Sequence, residues 1–276
     1  MRSYFITGGT GFIGRAIVRE LLRRPDVEQI VCLTRKLRPG ALEDPKLSYW
    51  KGDVTSVAFP DMPFTDIIHA AAEANDLLVP DKAQYYYDVV EGARRVFEWA
   101  QYVMPQRLMF VSSGAVLKGD SVYCRAKRMS EKLMPEWSHV ARVYSVVGPE
   151  MPMNGQYALG RFIWDAKTNG IVRWYDTGSI RSYLHVDDCA RWILRIMDQG
   201  QPGHPYQVGS DMPVSIRELA RLVADLAGVP CQEIPRTDYH ETAQIYVPET
   251  YDAFDLGCRI TVLIQDAIDE VLHARI

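Results

Sequence analysis

The sequence predicts an α/β protein with a Rossmann-type, doubly wound parallel sheet and a smaller C-terminal domain. Short apolar segments alternate with amphipathic segments over the first 145 residues, which is typical of βαβ units joined by right-handed crossovers. A glycine-rich turn, TGGTGFIG, lies directly after the first apolar segment. We expect one unit from residues 1–145, rejoined by about 184–210, and a second from 146–183 and 211–276.

The elements of the first unit follow from the spacing of its apolar residues. Apolar runs predict five strands, at Tyr4–Thr7, Gln29–Leu33, Leu47–Lys51, Asp66–Ala70 and Arg107–Ser112. Helical periodicity predicts two helices, at Gly14–Arg24 and Tyr85–Tyr102. The alternation of these strands and helices is the basis for the parallel sheet.

The later chain is less regular and is predicted to be mainly helical. Periodicity predicts helices at Tyr157–Thr168, Val186–Gln199, Ser215–Leu226 and from Val262 to about His273. Ser215 with a glutamate three residues later forms a capping box at the start of its helix. The segment Asp238–Asp255 has no strong period and is expected to be a loop with a short helix.

Composition restricts the class of protein. The formal charge is −4 over 276 residues, which argues against nucleic acid or an anionic membrane as the main partner. No apolar run is long enough to span a bilayer, and the first residues read as a strand and a turn rather than a signal peptide. Five scattered cysteines without a CxxC pair favour a reduced, cytoplasmic protein, and no metal site is predicted.

The glycine turn predicts a dinucleotide site. Its glycines follow the spacing Gly8-x-x-Gly11-x-x-Gly14 between the first strand and the first helix. Such a turn needs conformations that only glycine adopts cheaply, and its bare backbone lets a pyrophosphate approach the helix N-terminus. The alternative is a loop that merely packs the helix on the strand. The expected cofactor contacts in this turn are Gly8, Thr10, Gly11, Phe12 and Ile13.

The end of the second strand predicts which dinucleotide binds. An acid there holds a ribose 2′-hydroxyl, whereas an arginine accommodates a 2′-phosphate. This strand ends with Arg35 and Lys36, and no acid follows until Glu43. NADP(H) is therefore favoured over NAD(H), although both cations could instead be solvated surface charges.

Further cofactor contacts are expected after the third and fourth strands. Asp53, with Val54 beside it, follows the third strand and could accept a hydrogen bond from the adenine amino group. Small side chains after the fourth strand would let a cofactor lie against the backbone, and these are Ala70, Ala71 and Ala72. His69 precedes them and is interpreted as a packed core histidine rather than a catalyst.

A serine, a tyrosine and a lysine predict the chemistry. Ser113 follows the fifth strand, and Tyr123 and Lys127 are four residues apart on one helix face. A phenol with a pKa near 10 is a poor proton shuttle at neutral pH, but an adjacent ammonium stabilises the phenolate. Ser113 would hydrogen-bond the substrate oxygen, and Tyr123 and Lys127 would also contact the cofactor. The alternative is a surface tyrosine beside a solvated lysine.

Together these motifs resemble the extended short-chain dehydrogenase/reductase family, specifically nucleotide-sugar epimerases, dehydratases and reductases. TGGTGFIG, GDV, HAAA, VSS, YCRAK and the stretch from Arg142 to Val147-Gly148-Pro149 occur in the order of that family. The resemblance implies that the smaller domain binds the substrate and that Arg181, in RSYLHVDD, binds a sugar-nucleotide pyrophosphate.

The chain departs from the family pattern at several positions. Only nine residues separate Ser113 from Tyr123, where family members usually carry a longer substrate loop. Val89 and Ser145 stand where the family has asparagines, so Ser145 is the expected substrate contact at the second position. Gly114-Ala115 replaces the Asp-Glu pair of the sugar dehydratases, which removes the acid and base that elimination needs.

The last departure argues against dehydration, and Arg35 and Lys36 favour NADPH-dependent reduction of a nucleotide-linked 4-keto-6-deoxy-sugar. An epimerase with tightly bound NAD(P) is the main alternative, and a non-catalytic dinucleotide-binding redox sensor or scaffold is an alternative of another class. The family also commonly dimerises through two helices of each protomer, which predicts a homodimer. The apolar residues Val89, Val96, Met129, Leu133 and Met134 fit that interface but equally fit an intradomain core.

Overall fold

A computed structural model of the protein describes residues 1–37, 40–72, 79–153, 157–235 and 243–274. The chain divides into two compact units. The first comprises Met1–Val143, Ala190–Val208 and Asp252–Cys258, and the second comprises Tyr144–Cys189, Gly209–Tyr251 and Arg259–Ile276. No helix in these described ranges combines the length and apolarity needed to cross a bilayer.

The strands and helices of the described residues are numbered in chain order. The strands are β1 (Arg2–Thr7), β2 (Val27–Thr34), β3 (Leu47–Lys51), β4 (Asp66–His69), β5 (Arg107–Ser113), β6 (His139–Val143), β7 (Val146–Val147), β8 (Val172–Trp174), β9 (Ile180–Arg181), β10 (Leu184–His185), β11 (Pro205–Val208), β12 (Val214–Ser215), β13 (Cys231–Glu233) and β14 (Ile245–Tyr246). The helices are α1 (Phe12–Leu22), α2 (Lys82–Val103), α3 (Val122–Leu133), α4 (Ala158–Asn169), α5 (Val186–Gln199), α6 (Ile216–Ala227), α7 (Tyr251–Asp255) and α8 (Ile264–His273). A 3₁₀ turn, Gly114–Leu117, follows β5.

The first unit is built on a seven-stranded parallel sheet, which confirms the predicted fold class. The strand order is β11-β6-β5-β4-β1-β2-β3, and every neighbouring pair is parallel. The chain adds β2 and β3 on one side of β1 and then crosses to add β4, β5 and β6 on the other. This reversal leaves a crevice beyond the carboxyl ends of β1 and β4, where such sheets bind ligands.

Burial on both faces explains why these strands are continuous apolar runs. All four residues of β4 and the last six of β5 are buried. On one face the sheet packs against α2 through an aromatic cluster that includes Phe5, Phe97, Trp99 and Phe110. The ring centroids of Phe5 and Trp99 are 4.7 Å apart. This core holds the carboxyl ends of the central strands in fixed positions.

Hydrogen bonds near helix termini accompany two of the differences from the predicted boundaries. The helix predicted from Tyr85 begins three residues earlier, because the carboxylate of Asp81 accepts a hydrogen bond from the Gln84 amide. The last helix begins later than predicted, because the Thr261 and Val262 amides donate to the buried carboxylate of Asp188.

The described residues of the second unit form three small sheets and three packed helices. β7 pairs with β10, β8 pairs with β13, and β9 lies between β12 and β14. The helices α4, α6 and α8 pack against one another. The predicted capping box of α6 is confirmed, since Ser215 and Glu218 bond each other's backbone reciprocally. Of the segment Asp238–Asp255, which was expected to be a loop with a short helix, residues 238–242 lie outside the described residues, and Ile245–Tyr246 is a strand.

One segment of the first unit was not expected from the sequence. Residues 211–276 were all assigned to the second unit, but Asp252–Cys258 belongs to the first. The aromatic ring of Phe254 packs edge-on against that of Trp192 at 5.5 Å, and His204 bonds the carboxylate of Asp252 at 2.8 Å. These contacts join residues far apart in sequence, so local patterns do not indicate them.

Two residues of the predicted dimer face belong to the core of the first unit. Val96 is fully buried in the aromatic cluster, and Val89 is buried beside Tyr85 and Ala126. The intradomain alternative is therefore correct for both valines. The homodimer itself remains a prediction.

A buried carboxylate connects the amino ends of β1, β4 and β5. Asp66 has no exposed surface and accepts hydrogen bonds from Arg2 at 2.7 and 3.0 Å and from Arg107 at 2.7 Å. Arg2 also donates to Asp198 at 2.7 Å, and Arg24 donates to the same carboxylate at 2.8 Å. This network ties the segment Ala190–Val208 to the sheet.

We expect Asp66→Asn to lower the free energy of unfolding by roughly 3 kcal/mol, because it leaves two partly buried guanidinium groups without their shared charge. Denaturant titration measures this loss. The matched control is Glu98→Gln, which removes one carboxylate of an exposed ion pair with Arg94 and should cost less than about 0.5 kcal/mol. If both variants lost the same free energy of unfolding, the buried network around Asp66 would not be an important source of stability.

Candidate active site

The candidate residues of the first unit follow successive strands at one edge of the sheet. The glycine turn follows β1, Arg35 follows β2, Asp53 follows β3, Ala70 follows β4, and Ser113 ends β5. Because all these strands are parallel, their carboxyl ends share one edge. The fold therefore brings together residues spread over more than one hundred positions of sequence.

The glycine turn is too tightly packed for side chains at two of its positions. Gly8 has φ of +76°, and a Cβ there would lie 2.7 Å from backbone atoms of Ala70 and Ala71. A Cβ on Gly14 would lie 2.0 Å from the carbonyl oxygen of Gly8. The turn thus lies directly against the chain that leaves β4, at the point where the strand order reverses.

The N-terminus of α1 fits a phosphate group. Gly11 is the N-cap residue, so this helix has no side-chain cap. Such amides carry partial positive charge and bind anions readily. Phe12 and Ile13 are half-buried in this first turn, and Thr10 precedes it with its hydroxyl 3.4 Å from that of Thr34. These residues fit the pyrophosphate of a dinucleotide.

At the ends of β2 and β3, the exposed side chain of Arg35 lies beside the hydrogen-bonded carboxylate of Asp53. The Arg35 side chain is 81% exposed, and its Nη1 lies 3.9 Å from Oδ2 of Asp53. Oδ1 of Asp53 accepts hydrogen bonds from the Thr55 amide at 2.9 Å and hydroxyl at 2.7 Å. Partial burial acts to raise the pKa of Asp53, but the bonds from Thr55 and the Arg35 charge outweigh it and lower that pKa. Lys36 is also exposed.

The expected adenine contacts are limited by these arrangements. Thr55 occupies Oδ1 of Asp53, so Oδ2 is the oxygen that could accept from an adenine amino group. The side chain of Val54 packs against the aromatic cluster, and a Cβ on Gly92 would lie 2.9 Å from it. The side chain of Val54 is half-buried by these contacts, which limits its access to a cofactor.

His69 is a core residue, as the sequence indicated. Its Nδ1 lies 2.6 Å from the Thr7 hydroxyl, and its ring stacks on Phe110 at 5.6 Å. Burial and then the charge of Lys127 lower the pKa of His69 to about 3, so this imidazole is neutral at physiological pH. The half-buried residues Ala70, Ala71 and Ala72 follow it, and the Ala70 amide donates to the Thr7 carbonyl oxygen at 3.0 Å.

The two serines that end β5 have different partners. The Ser112 hydroxyl donates to Oε1 of Glu131 at 2.6 Å. Ser113 instead caps the 3₁₀ turn, and its Oγ accepts a hydrogen bond from the Ala115 amide at 3.2 Å. A hydroxyl that accepts through its oxygen still has its proton to donate. Ser113 is thus better placed than Ser112 to hydrogen-bond a substrate oxygen.

Tyr123 and Lys127 lie on one face of α3. Ser121 is the N-cap of this helix, and Tyr123 is half-buried against the cluster of Tyr85, Val89 and Ala126. Lys127 is 3% exposed, and its Nζ donates to the Val111 carbonyl oxygen at 2.9 Å. Burial lowers the pKa of Lys127 to about 8, against the opposing charge of Glu131.

Two neighbours of Lys127, Phe110 and Glu131, were not identified from the sequence. Its Nζ lies 4.7 Å from the ring centroid of Phe110, and the His69 ring stacks on the same phenylalanine. Glu131 lies one helical turn beyond Lys127 and bonds Arg142 of β6. In the sequence, the spacing of four residues indicates that Lys127 and Glu131 share a helix face. No sequence pattern indicates their partners on β5 and β6.

The predicted substrate contacts Ser145 and Arg181 belong to the second unit. The Ser145 carbonyl oxygen accepts from the Leu184 amide at 3.0 Å. Nη1 of Arg181 donates to the Gln244 carbonyl oxygen at 2.7 Å, and its Nη2 lies 3.3 Å from the Gln244 side-chain oxygen. The described residues contain no cluster of three or more His, Cys, Asp or Glu side chains suited to a metal.

Comparisons with known proteins agree with this fold. A model of the NAD dependent epimerase/dehydratase family matches residues 4–209. The chain belongs to this family. This membership confirms the resemblance to extended short-chain dehydrogenases/reductases and the expectation of an NAD(P)-dependent enzyme.

Individual relatives are distant but match most of the chain. A dTDP-glucose 4,6-dehydratase of Neisseria gonorrhoeae is 24% identical over 82% of this chain and 78% of its own. An ADP-L-glycero-D-manno-heptose-6-epimerase of Alkalilimnicola ehrlichii is 26% identical over 81% of this chain and 80% of its own. The solved structure of a Streptomyces venezuelae dTDP-glucose 4,6-dehydratase with NAD bound has a TM-score of 0.84 at 21% identity, covering 98% and 95% of the two chains. That likeness establishes the shared fold of the family.

Proposed function

We propose that this family member reduces the keto group of a nucleotide-linked 4-keto-6-deoxy-sugar and uses NADPH. The observation that carries the proposal is the exposed pair Arg35 and Lys36 at the end of β2, where a carboxylate would hold the 2′-hydroxyl of NAD. Reduction consumes its cofactor, whereas an epimerase returns its hydride. A preference for NADPH therefore favours a reductase.

The surroundings of Arg35 suit a phosphate. Its ion pair with Asp53 is long, at 3.9 Å, and that carboxylate already accepts hydrogen bonds from Thr55. A dianionic 2′-phosphate offers Arg35 shorter, charge-assisted hydrogen bonds than Asp53 does. If Arg35 left Asp53 for the phosphate, the Asp53 carboxylate would not become a buried, unpaired charge, because its side chain is 38% exposed.

The residues that end β5 and begin α3 supply proton transfer. When bound, the nicotinamide cofactor supplies the hydride. Tyr123 donates its phenolic proton to the substrate oxygen, and Ser113 hydrogen-bonds that oxygen. Lys127 holds its charge beside the site, which stabilises the phenolate left on Tyr123. Because the pKa of Lys127 is about 8, most of this side chain is ammonium at neutral pH.

The turn after β5 argues against dehydration. Elimination needs an acid and a base, which the resemblance places directly after the catalytic serine or threonine. Here Gly114 and Ala115 begin a 3₁₀ turn and carry no ionisable group. Protonation through Tyr123 alone is sufficient for reduction.

Arg181 and Ser145 are proposed to bind the sugar nucleotide. The Arg181 guanidinium would exchange its bonds to Gln244 for bidentate bonds to the pyrophosphate, which are stronger because both partners are charged. The Ser145 hydroxyl would hydrogen-bond the sugar in place of the family's asparagine amide.

Epimerisation is the second candidate, favoured by the family model and by the heptose epimerase relative. The two functions differ in their use of cofactor. With a 4-keto-6-deoxy-sugar nucleotide, a reductase oxidises one NADPH for each product molecule, and absorbance at 340 nm follows this loss. Conversion of a sugar nucleotide without net change in cofactor would instead establish the epimerase.

Arg35→Ser tests the cofactor preference. We expect it to weaken NADPH binding about 10- to 100-fold, since hydrogen bonds to charged groups contribute about 1.5–3 kcal/mol. NADH binding should change less than about twofold, as measured by fluorescence titration. Arg23→Ser is the control, because this exposed arginine pairs with Glu20 on the surface. An equal loss for both cofactors would contradict a 2′-phosphate contact.

A further inference from the structure

Beyond the residues considered so far, a charged cluster joins α3 to the ends of β5 and β6. Its centre is Glu131, which lies eight residues after Tyr123 and four after Lys127 and so shares their helix face. Ser112 and Arg142 complete the cluster. None of these three residues has a role in the proton transfer proposed above.

Glu131 is bonded by both strands. Its Oε1 accepts from the Ser112 hydroxyl at 2.6 Å and from Nε of Arg142 at 3.1 Å. Its Oε2 accepts from Nη2 of Arg142 at 2.7 Å. The side chains of Glu131 and Arg142 are only 14% and 20% exposed, so this is a largely desolvated, bidentate pair rather than a surface contact.

Together, Glu131 and Lys127 attach α3 to consecutive residues of β5. Lys127 bonds the Val111 carbonyl oxygen, and Glu131 bonds the Ser112 side chain. The next residue of the strand is Ser113, and the preceding turn of the helix carries Tyr123. These two bonds therefore fix the register between the strand end that carries the serine and the helix that carries the tyrosine.

Among the residues that the structure describes, few charged groups face Lys127 from the surrounding elements. His69, from β4, is neutral, and Phe110 of β5 presents only its ring. Arg142 of β6 is paired with Glu131. Helix α2 contributes the phenol of Tyr85, which packs with Val89 and Ala126. Burial lowers the pKa of Lys127 to about 8, and Glu131 is the group that opposes this shift.

We propose that Glu131 is a positioning residue, whose carboxylate keeps Lys127 in the ammonium form and, with Arg142, holds the end of β5 against α3. This proposal rests on the proposed role of Tyr123 and Lys127, and it applies equally to a reductase or an epimerase. Glu131 acts through Lys127 and Ser112.

The test is the protonation of Lys127 in Glu131→Gln. Selective ¹³C labelling of lysine, with Lys127→Arg to assign the signal, allows its titration to be followed by NMR. We expect the midpoint to move to lower pH by about one unit or more, because a carboxylate one helical turn away is removed and Arg142 is left unpaired. The alkaline limb of the kcat profile should move in the same direction, with activity recovered at lower pH.

Two further variants separate charge from fold. Glu131→Asp keeps the charge with a shorter reach, so its Lys127 midpoint should stay within about 0.5 pH unit of wild type while kcat falls. Glu131→Gln with Arg142→Met removes the unpaired guanidinium in case the single variant unfolds, and its Lys127 midpoint should still move down.

The control is Glu91→Gln on α2. Glu91 is 15% exposed and pairs with Arg94, so it matches Glu131 in burial and partner but lies outside the site. We expect no shift of the Lys127 midpoint. An unchanged midpoint in folded Glu131→Gln protein would overturn the proposal. Because NMR requires no substrate, that outcome is distinguishable from a failure of the proposed reaction.

Discussion

Tyr123→Phe is expected to lower kcat by about 10²- to 10⁴-fold, the range that a positioned general acid contributes. The substitution removes the phenolic hydroxyl and leaves the ring, which packs against the cluster of Tyr85, Val89 and Ala126. The fold and the glycine turn should therefore be unaffected, and cofactor affinity should stay within about fivefold of wild type. Steady-state turnover and fluorescence titration of the cofactor measure the two effects.

Tyr87→Phe is the matched control. Tyr87 lies on α2, is 57% exposed and should leave both turnover and binding unchanged. If Tyr123→Phe retains full turnover, another group supplies the proton. If neither wild type nor variant turns over any sugar nucleotide while both bind dinucleotide, the sensor or scaffold alternative is favoured.

Gly14→Ala is expected to destabilise the protein by about 3 kcal/mol and to weaken dinucleotide binding at least about tenfold. The new Cβ would lie 2.0 Å from the Gly8 carbonyl oxygen. Since this contact is with backbone, no rotamer change relieves it, and the turn must move away from α1. Denaturant unfolding and cofactor titration on the same sample measure both losses.

Gly170→Ala provides the comparison for this glycine. Gly170 ends α4 in the second unit with φ of +65°, and a Cβ there meets no atom within 4 Å. The cost should be about 1 kcal/mol of left-handed backbone strain, with cofactor affinity unchanged. Wild-type cofactor affinity in Gly14→Ala would show that the turn is not the binding element.

The strands and the main motifs could be predicted because their signals are local. β4 and β5 are buried along nearly their whole length, so they appear as short apolar runs. Tyr123 and Lys127 share a helix face because four residues make about one turn. The glycine spacing follows from a single turn between β1 and α1.

Other features depend on contacts between residues distant in sequence. Asp252–Cys258 joins the first unit through Trp192 and His204, about 50 to 60 positions away. Glu131 bonds Ser112 and Arg142, which lie 19 and 11 positions from it. Neither arrangement has a periodic signature, so the sequence did not reveal them.

The sequence by itself determined the parallel α/β architecture, the glycine turn and the placement of Ser113, Tyr123 and Lys127 on their elements. Each of these depends on the spacing of neighbouring residues along one strand, turn or helix. Only the tertiary structure decided which serine is tied to Glu131, how deeply Lys127 is buried and which segments complete the first unit. Burial and pairing depend on which distant residues pack together. For Lys127, that packing sets the pKa and therefore the fraction of the side chain that is charged.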